Sequence, residues 1–168
     1  QKEYAGEILD FSANINPLGM PQGVKQAAIR ALEDCAHYPD PACRRLSKAL
    51  GEHEQVLPEQ VICGNGAADL IFRIVLAKRP RKAVLTAPSF AEYQAALALM
   101  DCTVEYEYLE AEKDFLLTVS FLERLGGDVD LVFLCNPNNP TGKRVPAELL
   151  EEIMDHCREK DILLVLDS

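Results

Sequence analysis

Residues 130–142 read Asp-Leu-Val-Phe-Leu-Cys-Asn-Pro-Asn-Asn-Pro-Thr-Gly, DLVFLCNPNNPTG. The first part, from Leu131 to Cys135, is a continuous apolar run holding a β-branched and an aromatic side chain, the pattern of a strand buried on both faces. The second part packs three asparagines, two prolines and a glycine into seven residues. Proline removes N–H donors and fixes φ, and asparagine and glycine favour turns, so neither helix nor strand continues through it. In a parallel α/β sheet the loops at the carboxyl ends of buried strands carry the function.

Working outward, the same punctuation recurs. Gln60–Cys63 is a short apolar segment broken by Gly64-Asn65-Gly66, Lys82–Thr86 is stopped by Pro88, and Asp161–Asp167 is a last apolar strand. Thr103–Leu109 alternates polar and apolar residues. Between these segments lie stretches of helical spacing. Val24, Ala27, Ala28, Ala31, Leu32 and Cys35 form one stripe, and Leu70, Ile71, Ile74 and Val75 another. Phe90–Met100 is rich in alanine and leucine, Leu116–Leu125 is predicted helical, and Pro146 opens a helix with Leu149, Leu150, Ile153, Met154 and Cys157 on one face. Asp40-Pro41 supplies an N-cap and a first-turn proline for a helix predicted to end near Gly51. Apolar strands alternating with amphipathic helices predict an α/β fold of three layers, αβα, with a mainly parallel sheet.

The 168 residues suffice for a domain with a core, and 48% apolar and 26% charged residues are ordinary for a globular protein. The formal charge of −10 argues against nucleic acid as a partner, which wants a basic stripe. The basic run Lys78-Arg79-Pro80-Arg81-Lys82 reads as a solvated turn between a helix and a strand. No apolar run has the length of a membrane span, and no apolar stretch follows Gln1–Tyr4 as in a signal peptide. The six cysteines, Cys35, Cys43, Cys63, Cys102, Cys135 and Cys157, show no CxxC spacing. They are expected to be reduced and wholly or half buried in a cytoplasmic protein. His37, His53 and His156 match no metal spacing, and no metal is expected.

Three strand ends have chemical character. Cys63-Gly64-Asn65-Gly66-Ala67-Ala68-Asp69 puts a glycine turn before a helix, where exposed N–H groups suit a phosphate. It is neither GxGxxG nor a P-loop, and by itself a plain tight turn explains it better. In the asparagine loop, Asn139 is held between Asn138 and Pro140 and can donate its amide to a negative oxygen, although asparagines also simply tolerate turns. Asp167 ends an apolar strand, where an ionised carboxylate needs a partner: a helix start or a cation such as a pyridinium nitrogen.

Phosphate cradle, amide and carboxylate together are what pyridoxal 5′-phosphate requires, and NPNNPTG resembles the fold-type-I pyridoxal-phosphate enzymes of the aspartate aminotransferase superfamily. Within it, Asp10–Gly19 (DFSANINPLG), His37-Tyr38-Pro39-Asp40, Gly64-Asn65-Gly66 and Phe90-Ala91-Glu92-Tyr93 resemble the threonine-phosphate decarboxylases of cobalamin biosynthesis, near relatives of the histidinol-phosphate aminotransferases. The resemblance runs along essentially the whole chain. It implies an N-terminal arm, 1–20, followed in 21–168 by the first part of a cofactor-binding large domain.

The resemblance also implies roles. Backbone N–H groups of Gly66 and Ala67 hold the cofactor phosphate, Tyr93 stacks on the pyridine ring, Asn139 donates to the ring oxygen and Asp167 pairs with the ring N–H. Tyr38 reaches the cofactor phosphate of a second subunit, which makes the active unit a homodimer. Asn14 and Asn16 border the substrate, a phosphorylated amino acid; turn residues before Pro17-Leu18-Gly19 are the other explanation for both. None of Lys48, Lys78, Lys82, Lys113, Lys143 or Lys160 occupies the position of the family's cofactor-bearing lysine, which is expected beyond Ser168. No catalytic residue is therefore assigned, and a binding protein on the same scaffold stays open as the alternative from another class.

Overall fold

The computed structural model of the protein describes residues 14–168; Asp10–Ala13 of the front motif lie outside the described residues. The chain divides into two compact units, Gln1–Val61 and Ile62–Ser168.

In the first unit, α1 (Gln22–Ala31) runs into a 3₁₀ turn, Leu32–Ala36, and α2 (Arg44–Glu54) follows. The helix starts later than Asp40-Pro41 predicts, with Cys43 at the N-cap; the Asp40 carboxylate braces the preceding turn instead, accepting the N–H groups of Ala42 at 3.1 Å and of Arg44, the first residue of α2, at 3.0 Å. The helix passes through Gly51 and ends at Glu54, with Gln55 in the left-handed region at φ 58°. Gly51 is there for close packing instead, because a Cβ would lie 2.8 Å from the carbonyl oxygen of Val56. Cys35, expected to be at least half buried, is exposed.

The second unit holds the sheet. After α3 (Gly66–Lys78) come β1 (Lys82–Ala87), α4 (Ala91–Ala98), β2 (Thr103–Tyr108), β3 (Leu131–Cys135), α5 (Ala147–Glu159) and β4 (Leu163–Asp167). The strands are all parallel, in the order β2-β1-β3-β4. Side chains alternate across the pleat. Val84, Val132 and Leu134 enter a core with Phe121, Leu149, Ile153 and Cys157. Ala83, Leu85, Leu131, Phe133 and Cys135 enter the opposite core with Ile71, Val75, Tyr93, Ala96 and Leu97. Helices thus cover both faces, which is why the central strands read as unbroken apolar runs.

Two predicted elements take another form. Gln60–Cys63 is not a strand: a 3₁₀ turn, Pro58–Gln60, leads into irregular backbone, and Ile62 is 76% exposed. A strand needs a ladder partner, and the segment has none among the described residues. Leu116–Leu125 forms the 3₁₀ segment Val119–Arg124 instead of an α-helix. Its i→i+3 bonds, such as Phe121 N–H to Thr118 O, wind it more tightly than an α-helix.

The amino edge of the sheet is tied down by side chains. One carboxylate oxygen of Asp130 accepts the N–H groups of Arg81 at 2.7 Å and Lys82 at 3.1 Å. The Lys82 ammonium pairs with Asp128 at 2.7 Å and Glu105 at 2.8 Å. Asp128 first, then Glu105, raises the Lys82 pKa above its ordinary value, and Lys82 in turn lowers that of Asp128.

Candidate functional site

At the carboxyl edge β3 and β4 end together, Cys135 opposite Asp167 in the ladder. The asparagine loop springs from there, and its three asparagines do different work. Asn136 fastens the base: its N–H donates to the Asp167 carbonyl at 2.7 Å, and its side-chain oxygen accepts the Val145 N–H at 2.9 Å. Asn138 is buried and ties this loop to the one after β1, donating to the Pro88 carbonyl at 3.0 Å and to Thr141 Oγ1 at 2.9 Å. Its backbone closes the turn, with Asn138 N–H on Lys143 O at 2.7 Å and Gly142 N–H on Asn138 O at 2.6 Å. Asn139 is only half buried, and its amide takes no partner among the described residues. Two asparagines build the loop and the third is left over, which is the state a ligand-directed amide needs.

Asp167 follows Leu163 and Val165 on the face that carries the α3–α4 core. Its half-buried carboxylate meets the hydroxyl of Tyr93, which donates to Oδ2 at 2.5 Å. Tyr93 has no exposed surface. Its ring lies stacked on Phe133, centroids 4.8 Å apart and planes 4° from parallel, while Phe90 meets it edge-on at 5.6 Å. The expectation that Tyr93 stacks on a cofactor ring is therefore corrected: a fully buried ring already stacked on Phe133 offers no face to a ligand. Phe90, the residue before α4, is half buried and keeps some surface free. Burial first, and the bond to Asp167 second, push the Tyr93 phenol well above its ordinary pKa, so it stays a protonated donor.

The glycine turn is a helix start, as the sequence indicates. α3 begins at Gly66 with φ +83°, a left-handed conformation that favours glycine, and a Cβ there would meet open space. Gly64 faces the opposite constraint, since a Cβ would sit 2.7 Å from the Leu70 side chain. The first-turn amides of Gly66 and Ala67 have no partner within the helix by construction, and both residues are exposed. Asp69 receives the Asn65 N–H at 2.9 Å on one oxygen and holds Arg73 at 2.9 Å with the other, so its charge is balanced beside the cradle. Since α3 leads back to the start of β1, its N-terminus lies towards the carboxyl edge, as in any parallel α/β unit.

Tyr38, Asn14 and Asn16 belong to the first unit. Tyr38 is fully exposed and Asn14 exposed. Asn16 builds its own turn, its side-chain oxygen accepting the Leu18 N–H and its carbonyl the Gly19 N–H, both at 3.0 Å. The sequence reading missed the Tyr93–Asp167 link and the Asp69–Arg73 pair; the second was legible as an i,i+4 acid–base pair on a helix.

A parallel sheet with helices on both faces, its carboxyl edge carrying an open helix start, an unspent amide and a carboxylate, defines an α/β protein with polar groups left over at the edge where such sheets place their ligands. Comparison shows the family. The profile of the family described as aminotransferase class I and II matches residues 6–168, and the chain belongs to that family. It is 44% identical to the threonine-phosphate decarboxylase of Salmonella typhimurium over 96% of this chain and 44% of that protein. It is 39% identical to the adenosylcobalamin biosynthesis bifunctional protein CobDQ of Leptospira interrogans over 81% of this chain and 16% of that one. Among solved structures, the histidinol-phosphate aminotransferase of Clostridium acetobutylicum superposes with a TM-score of 0.83 at 29% identity, covering 96% of this chain and 47% of the other. The chain thus spans less than half the length of these relatives.

Proposed function

We propose that the carboxyl edge is a pyridoxal 5′-phosphate site and that the whole protein decarboxylates O-phospho-L-threonine to aminopropanol phosphate, a step of cobalamin biosynthesis. The single observation behind the site is the leftover chemistry at this edge: an amide without a partner, a carboxylate with one oxygen engaged, and an open helix start. Two further atoms fit a polar occupant nearby. The Asn138 side-chain oxygen and Ser89 Oγ are buried without partners, an uncommon state for buried polar groups.

The donor set matches the cofactor group by group. Amides of Gly66 and Ala67 hold the phosphate, Asn139 donates to the ring oxygen, and Asp167 accepts the ring N–H. Phe90 covers a ring face, the task that burial removes from Tyr93. When bound, the cofactor supplies an electron sink for the carbon left by bond cleavage. Asp167 serves that chemistry by keeping a proton on the ring nitrogen, through the negative charge it sets beside it. Exposed Tyr38 contributes to the site of a second copy, in a homodimer, and Asn14 and Asn16 of the arm (1–20) border a phosphorylated amino-acid substrate. We place the protein in the cytoplasm, where its six free cysteines stay reduced.

The relatives named for threonine-phosphate decarboxylation support the reaction. The superposition on a histidinol-phosphate aminotransferase favours a second one, amino transfer from histidinol phosphate. One experiment separates them. The full-length protein with pyridoxal phosphate is given O-phospho-L-threonine and assayed for carbon dioxide, then given histidinol phosphate with 2-oxoglutarate and assayed for glutamate. Carbon dioxide without glutamate is expected; glutamate alone replaces the first reaction with the second.

A further inference from the structure

We propose that Tyr93 is a positioning residue that acts through Asp167: its hydroxyl occupies Oδ2, fixes the carboxylate in one orientation and leaves Oδ1 for the cofactor's ring nitrogen. The inference rests on the cofactor reading above and goes beyond it by assigning a buried group no contact with the cofactor at all.

Three observations carry it. The hydroxyl donates to Asp167 Oδ2 at 2.5 Å. The ring that bears it is clamped, stacked on Phe133 and met edge-on by Phe90, so the hydroxyl cannot wander from the carboxylate. Finally, the groups facing the phenol are Asp167 on β4 and Cys135 on β3, and neither supplies a positive charge that would draw off the phenolic proton. Burial keeps that proton in place, so Tyr93 donates and Asp167 accepts. With Oδ2 taken, the carboxylate presents Oδ1 to the ring nitrogen in one orientation, and an opposite charge so held favours the protonated ring. Without the hydroxyl the carboxylate rotates freely, and its hold on the ring proton loosens.

The test uses the full-length protein and ring-¹⁵N-labelled pyridoxal phosphate, with cofactor affinity and the ¹⁵N shift as readouts. The parent is read first. If it does not bind the cofactor, the functional reading falls and this inference with it. Tyr93→Phe keeps the ring volume and the stack on Phe133. It is expected to bind the cofactor about tenfold more weakly, the size of one hydrogen bond to a charged group, and to shift the ¹⁵N signal towards neutral pyridine. In an Asp167→Asn background the same substitution is expected to change affinity by less than about twofold, because coupled residues are not additive. A purely structural role for Tyr93 would give the same loss in both backgrounds and overturns the proposal, as does a parent-like affinity and ¹⁵N shift in Tyr93→Phe. Should Tyr93→Phe not fold, Phe133→Leu keeps the hydroxyl but loosens its clamp; a weaker affinity with the ¹⁵N shift moved in the same direction supports the proposal, and parent values overturn it.

Discussion

The two edges of the sheet carry the same residue types and put them to opposite uses. Asp130 stands at the start of β3 and Asp167 at the end of β4, each an acid at the margin of an apolar strand. At the amino edge Asp130 accepts two backbone N–H groups on one oxygen, and Lys82 is paired twice. At the carboxyl edge one oxygen of Asp167 is taken by Tyr93, the Asn139 amide has no partner among the described residues, and two buried oxygens have none either. Each acid has one oxygen engaged, and what engages it differs: Asp130 fastens backbone N–H groups, which marks architecture, while Asp167 takes a side-chain hydroxyl at an edge where other polar groups stand without partners.

Substitutions test that distinction directly. The largest effect is expected from Asp167→Ala in the full-length protein. Breaking an ion pair to the ring nitrogen costs on the order of 3 kcal/mol, a loss of about a hundredfold or more in pyridoxal-phosphate affinity by equilibrium dialysis. Asp130→Ala should do the reverse, lowering stability by about 2 kcal/mol in urea unfolding through two lost hydrogen bonds to a charged acceptor, with cofactor affinity unchanged. An affinity loss in Asp130→Ala would break the contrast between the edges.

The asparagine loop repeats the contrast on a smaller scale. Asn138→Ala removes a buried amide that bridges two loops and should cost about 1–3 kcal/mol of stability. Asn139→Ala should leave stability within about 0.5 kcal/mol and weaken cofactor binding about tenfold. Chemical unfolding and cofactor titration of both variants show whether the two roles separate.

The smallest effect concerns pH. The Lys82 pKa is raised above 10.5 in the folded protein, so its contribution is full below that value and fades as pH climbs through the folded pKa. The Asp128 pKa is lowered below 3.8, so its contribution is full above that value and fades as pH drops through the folded pKa. The stability difference between parent and Lys82→Met should thus be flat between these limits and shrink beyond both, in unfolding curves taken across pH.

Most of the fold was legible from the sequence because buried parallel strands write themselves as apolar runs between amphipathic helices. The segments that differed have specific reasons. Val61–Cys63 has strand composition, but a strand exists only where a neighbour completes its ladder, and neighbours are not local information. Leu116–Leu125 has helical spacing, but that spacing does not say whether i→i+4 or i→i+3 bonds close the turns. The candidate site was legible as to residue type: the Asn139 amide has no partner among the described residues, Asp167 ends β4, and Gly66 and Ala67 open α3. Tyr93 was not, because an aromatic on a helix reads alike whether it faces a ligand or a core. Only the packing of Phe133 against it and the reach of its hydroxyl to Asp167 decide which.

The most direct test is a crystal structure of the full-length protein with pyridoxal phosphate. The expected result is the ring nitrogen within hydrogen-bonding reach of the Asp167 carboxylate, about 2.7–2.9 Å for a charged pair. The phosphate should lie on the amides of Gly66 and Ala67, and Asn139 should donate to the ring oxygen. A cofactor bound elsewhere, or bound with Asp167 facing only Tyr93, would contradict the assignment of the carboxyl edge as the cofactor site.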